Sequence, residues 1–141
     1  MKSKKIFGIN LDKIQIGMQE SYSCIITEEQ VVKFAELSGD KNPIHLDEQY
    51  ASKSRYKKRL AHGLFCASFF SAMFGTKLPG EGCVYANQKL YFKRPIYIGD
   101  MVEASIEVLK IDYAKKKVIF KTICRVKNKI AIDGEAEIFI P

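Results

Sequence analysis

A carboxylate and an imidazole stand five residues apart in the stretch Ser38-Gly39-Asp40-Lys41-Asn42-Pro43-Ile44-His45. Asn42-Pro43 marks a turn, because the proline ring fixes its own φ and pushes Asn42 away from helical backbone, and Gly39 supplies conformational freedom just ahead of it. Folded across such a turn, Asp40 and His45 can hold one water molecule between them. A general base must lie within hydrogen-bond reach of the proton it takes and have a pKa near the working pH, which histidine has. The chemistry indicated is water activation at neutral pH. Taken alone, the same residues read equally well as a polar loop, since Asp, Asn, Gly and Pro dominate turns.

The elements on either side decide whether these side chains are held in place. Thr27-Glu28-Glu29-Gln30 is a capping-box pattern, with Val31, Phe34 and Ala35 following at helical spacing, so a short helix delivers the chain into the turn. Asp47 is a candidate N-cap for a second short helix through Glu48, Tyr50 and Ala51. The run from His62 to Gly75 is apolar on nearly every side and is closed by Gly75 and Pro79. A helix of that character has to be buried, so something must wrap it. Residues 84–93, 101–111, 118–127 and 130–140 supply the wrapper: they are rich in β-branched and aromatic residues with partial alternation, as where Phe120, Thr122, Cys124 and Val126 are set against Ile119, Lys121, Ile123 and Arg125. Short polar turns at 114–117 and Asn128-Lys129 make them antiparallel hairpins, and 95–100 reads as a loop. A long apolar helix cradled by a curved antiparallel sheet is the hotdog architecture of the α+β class. One such unit leaves a sheet edge and a helix flank uncovered, from which a homodimer is expected.

Composition narrows the function. The chain has 141 residues, 47% of them hydrophobic, which suits a single domain spanning 1–141 with its own core. No apolar run approaches the roughly 18 residues that cross a bilayer, and basic Met1-Lys2-Ser3-Lys4-Lys5 is followed by Gly8, Asn10 and Asp12 rather than by an apolar stretch, so a cytoplasmic protein without membrane attachment is expected. Cys24, Cys66, Cys83 and Cys124 form no CxxC pair and read as reduced, mostly buried residues. With only His45 and His62, seventeen positions apart, no metal site is expected. The formal charge of +7 suggests an anionic partner. Two basic clusters contribute to it: Lys115-Lys116-Lys117 falls at a hairpin tip, whereas the cluster from Lys53 to Arg59 lies between the Asp/His loop and the apolar helix. Without an arginine-rich helix or an aromatic RNA-binding motif, nucleic acid is not the expected partner.

The segment from Phe34 to His45, followed by Asp47, Tyr50 and Ala51, resembles the signature of the MaoC-like, hydratase-2 family of hotdog proteins. The resemblance continues through Ala61-His62-Gly63-Leu64, Leu78-Pro79-Gly80-Glu81-Gly82 and the run from Gln88 to Asp100, and single-domain (R)-specific enoyl-CoA hydratases are nearest in length and pattern. It implies hydration of a trans-2-enoyl-CoA to an (R)-3-hydroxyacyl-CoA, or the reverse, without metal or redox cofactor. The family's catalytic pair carries over to Asp40 and His45, and its oxyanion donor to the backbone N–H of Gly63. That assignment suits a glycine at a helix N-terminus, where an unpaired N–H and the positive end of the helix dipole meet a developing enolate oxygen. Asn42 is expected to orient Asp40 through its side-chain amide or simply to form the turn, and His62 reads as a structural cap or packing residue. Ser71, Met73 and Phe74 are candidates for an acyl pocket. Arg55, Lys57, Lys58, Lys93 and Arg94 are candidates for the CoA phosphates. Rival readings are an acyl-carrier-protein dehydratase or an acyl-CoA thioesterase on the same fold, and a non-catalytic acyl-CoA or nucleic-acid binding module.

Overall fold

The computed structural model describes residues 8–141; the basic Met1–Lys5 stretch lies outside them. After a short 3-10 turn at Leu11–Lys13 come β1 (Gln19–Ile25), α1 (Glu28–Ser38), α2 (Pro43–Leu46), α3 (Glu48–Lys53), α4 (Gly63–Thr76), β2 (Val84–Phe92), β3 (Met101–Asp112), β4 (Lys117–Val126) and β5 (Lys129–Phe139). All strand pairs are antiparallel, in the order β1-β3-β4-β5-β2. This is the expected α+β hotdog arrangement, with α4 packed against all five strands.

Alternation decides which side of the sheet faces the helix. Along β3, Val102, Ala104, Ile106 and Val108 are fully buried, and along β4 Val118, Phe120, Thr122 and Cys124 are. The intervening Ile119 and Lys121 point away. These buried residues meet Cys66, Ala67, Phe69, Phe70, Met73 and Phe74 of α4 in one continuous core. The polar member, Thr122, accepts a hydrogen bond from Gln88 Nε2 at 3.0 Å, so its burial leaves no unmet acceptor. The helix flank expected to stay uncovered in one unit is there: Leu64, Ser68, Ser71, Ala72 and Gly75 form an exposed side of α4. A single sheet covers only one side of a helix. The edge strand β2 is exposed over most of its length.

The local signals act as the residue types predict. Thr27 Oγ1 accepts from the Gln30 N–H at 3.2 Å while Gln30 Oε1 accepts from the Thr27 N–H at 2.9 Å, the reciprocal capping box. Asp47 caps α3 by accepting from Tyr50. Gly39 ends α1 at φ 81°, a conformation that favours glycine. Two elements lie where the sequence reading has none. The single turn α2 is started by Asn42 as cap and Pro43 as first residue, and β1 is a polar edge strand with little alternation.

Candidate active site

The Asp/His turn is held against the chain leading into α4. Asp40 begins it: its N–H donates to Ser38 Oγ at 3.0 Å and its Oδ1 accepts from the Asn42 backbone N–H at 3.2 Å. Asn42 thus meets the Asp40 carboxylate through its backbone N–H. Its side-chain oxygen accepts from the Ile44 N–H to cap α2, the turn-forming one of its two expected roles. His45 sits in the last turn of α2 and is half-buried. Residues 59–62 fasten it, with Leu60 N–H donating to the Ile44 carbonyl, Arg59 Nε–H to the His45 carbonyl at 2.8 Å, and the Leu60 carbonyl lying 2.7 Å from His45 Nδ1.

That last contact assigns the tautomer. A carbonyl oxygen only accepts, so Nδ1 carries the proton and the lone pair of neutral His45 is on Nε2. Burial pushes the His45 pKa below the ordinary histidine value, with His62 adding to the effect, against the opposing pull of the Leu60 hydrogen bond and the Asp40 charge. At neutral pH His45 is therefore an unprotonated base. Asp40 keeps its side chain exposed at the surface of the turn.

His62 stands at the N-terminus of α4, 2% exposed, and makes no capping hydrogen bond. It stacks on His45 instead, with ring centroids 3.8 Å apart and planes 26° apart, and its Nε2 reaches the Asp40 backbone carbonyl at 2.9 Å. The two histidines that sequence separation set in different contexts are thus in contact. One donor atom each from Asp40, His45 and His62 lies within 4.8 Å of the other two. The stack does not suit a shared metal ion, because lone pairs in nearly parallel ring planes do not converge on one point.

Gly63 opens α4, and its N–H has no acceptor among the described residues, as befits the first amide of a helix. Its backbone conformation does not require glycine, but any side chain there would meet the Phe92 ring. A Cβ built there would lie 2.5 Å from Cε1 of the Phe92 ring. Together Gly63, His45 and Phe92 line a cavity of about 300 Å³ that also takes in Tyr56, Lys93 and Arg94.

Of the expected phosphate ligands, only Lys93 and Arg94 line this cavity. Lys93 pairs with Asp133 at 3.4 Å, and Arg94 donates to the Ile130 carbonyl. Arg55 lies over the Tyr56 ring, Lys58 over that of Tyr97, and Lys57 is exposed; none of the three lines it. The acyl-pocket candidates lie away from this cavity. Ser71 is on the exposed flank of α4, while Met73 and Phe74 are 1% exposed in the core, Phe74 set edge-on to Phe120 and Tyr85. None of the three lines the cavity at Gly63.

Sequence reasoning also missed Arg59 and Phe92. Arg59 looks like one more member of a basic cluster, yet it is 9% exposed and turned inward, donating to Glu28 at 2.7 Å as well as to His45. Nothing in its spacing distinguishes it from Lys57 or Lys58. Phe92 carried no signal beyond strand propensity. The four cysteines are free; burial holds the Cys66 thiol high and pushes Cys124 up to about 12, so neither core thiol is a nucleophile.

Residues 12–134 match the MaoC like domain family. Over 92% of its length the chain is 44% identical to an (R)-specific enoyl-CoA hydratase of Rhodospirillum rubrum, covering 90% of that protein. It is 39% identical to a 3-hydroxybutyryl-CoA dehydratase of Methylorubrum extorquens, across 92% of this chain and 83% of that one. Among solved structures, the (R)-hydratase of A. caviae superposes with a TM-score of 0.89 at 34% identity, over 92% of this chain and 98% of that one. With the fold, the Asp40–His45 turn and the family match in agreement, the chain belongs to the MaoC-like domain family.

Proposed function

We propose that this protein is an (R)-specific enoyl-CoA hydratase, adding water reversibly across the double bond of a trans-2-enoyl-CoA. One observation carries the reading at the level of chemistry: an unprotonated His45 stands beside the Asp40 carboxylate and shares a cavity with the Gly63 amide, and among the described residues neither His45 Nε2 nor that amide has a hydrogen-bond partner. Hydratases and dehydratases acting on CoA thioesters among its relatives support the substrate class.

In this mechanism Asp40 and His45 hold one water. His45 Nε2 takes a proton as the water oxygen bonds to C3, electrons move toward the thioester oxygen, and the imidazolium then delivers that proton to C2. Asp40 accepts a hydrogen bond from the other hydrogen and keeps the oxygen aimed. The Gly63 N–H, at the positive end of a 14-residue helix, stabilises the enolate oxygen. Water supplies both hydroxyl and proton, and the addition is redox-neutral, so the chemistry requires no metal or redox cofactor. Lys93 and Arg94 at the cavity are the basic groups best placed for the phosphates of CoA.

The working unit in this reading is a homodimer in the cytoplasm. Exposed Val84, Tyr85, Tyr91 and Phe92 on β2 and Leu64 on α4 support association through that edge, and four free cysteines support a reducing compartment.

The test is loss of enoyl-thioester absorbance when purified protein is mixed with crotonyl-CoA. Asp40→Asn and His45→Ala should each lower the rate by about 10²–10⁴. Full activity in both variants would end the mechanism. The same acyl group on acyl carrier protein, run in parallel, should react more slowly, and release of free CoA would instead reveal a thioesterase.

A further inference from the structure

His62 is almost completely buried, touches both members of the catalytic pair, and has no part in the mechanism above. Its Nε2 must carry the ring proton, because the partner 2.9 Å away is the Asp40 carbonyl oxygen. Its Nδ1 is left as a buried lone pair without a hydrogen-bond partner among the described residues. One face of the ring is stacked on His45 at 3.8 Å, and Phe34 packs against it at 4.8 Å. A phenyl ring would fill this space without holding Asp40; an amide side chain would hold Asp40 without stacking. Only histidine does both.

We propose that His62 is a positioning residue that registers the Asp40 backbone to the His45 ring and keeps His45 free of its proton. The stacked ring also covers one face of His45 and keeps water from it, and a desolvated imidazole holds a proton less readily, so the stack favours the neutral form of the base. The other groups facing His45 are few. Asp40 from the α1–α2 turn opposes the effect and the Leu60 carbonyl holds Nδ1. Arg59 reaches the backbone of His45 while paired with Glu28, and Tyr56, Lys93 and Arg94 share the cavity.

The proposal rests on the hydratase reading for its kinetic arm only. His62→Phe keeps a stacked ring and loses the hydrogen bond, whereas His62→Gln keeps a donor and loses the stack. Both should lower kcat for crotonyl-CoA by about tenfold or more with little change in KM. In His62→Gln, which uncovers one face of His45, the acidic limb of kcat/KM should also move upward by about half a pH unit, toward the ordinary histidine value, whereas in His62→Phe it should stay. A residue that only held the Asp40 backbone would leave that limb where it was in both. The second arm needs no substrate and no variant. The chain has only two histidines, so nitrogen NMR of the imidazoles at mildly alkaline pH reads them separately. The expected pattern is His62 protonated on Nε2 and His45 on Nδ1. His62 protonated on Nδ1, a folded His62→Phe enzyme with wild-type kcat, or a folded His62→Gln enzyme with an unmoved acidic limb would overturn the proposal. A protein that hydrates nothing yet shows the expected tautomers would fault the hydratase reading instead.

Discussion

The two ends of α4 are built from similar apolar sequence and behave in opposite ways. At its N-terminus, Gly63 has no side chain and an unpaired N–H, and the neighbouring His62 faces the Asp/His turn. About 16 Å along the helix, Phe74 is closed in by Phe120 at 4.8 Å and Tyr85 at 5.2 Å. The difference follows from what each end leaves unmet. A helix start leaves backbone donors without partners, and at α4, where no side chain caps them, a polar substrate or water can answer them. The later turns have their amides paired within the helix, so side-chain packing alone sets their surroundings.

This contrast can be broken at either end. Phe74→Ala removes a fully buried ring and should cost about 3–5 kcal/mol of stability, visible in a thermal or denaturant melt, while crotonyl-CoA turnover by the remaining folded protein stays within a few-fold. Faster turnover of longer acyl chains without loss of stability would show that the substrate cavity reaches this cluster after all. Gly63→Ala should do the reverse. Its φ tolerates alanine, but the new methyl group would drive the Phe92 ring toward the cavity. Activity should fall by about a hundredfold with the melt nearly unchanged. Adding Phe92→Leu should restore part of the rate, and no recovery would mean that Phe92 is not the obstacle.

The smallest effect is in the pH profile. Because burial lowers the His45 pKa, the neutral base persists below the ordinary value near 6.5. Hydration should therefore hold steady as pH falls to that value and decline only below it, as His45 gains its proton. A decline already complete above neutrality would assign the base to another group.

Local chemistry made much of this molecule legible in advance. The capping box at Thr27, the cap at Asp47, the inward face of β4 and the hairpin at 114–117 each follow from interactions within a few residues, so their residue types suffice to predict them. Strand β1 was missed because an edge strand with both faces largely exposed has little reason to alternate. The single turn α2 was missed because four residues are too few to show a period, although Asn42-Pro43 was the signal for its start. Ser71, Met73 and Phe74 were grouped by nearness along the chain, whereas the helix sends one outward and two into the core.

By itself the sequence determined the class of fold and that a carboxylate and an imidazole share one turn, since periodicity, caps and the Asp40-to-His45 spacing are short-range properties of the chain. Tertiary structure decided the rest. It turned Arg59 inward, stacked His62 on His45 across seventeen positions, and set the Phe92 ring against Gly63. Each of these depends on which distant segment arrives alongside, and that is set by burial of the shared core rather than by any pattern in the neighbouring residues.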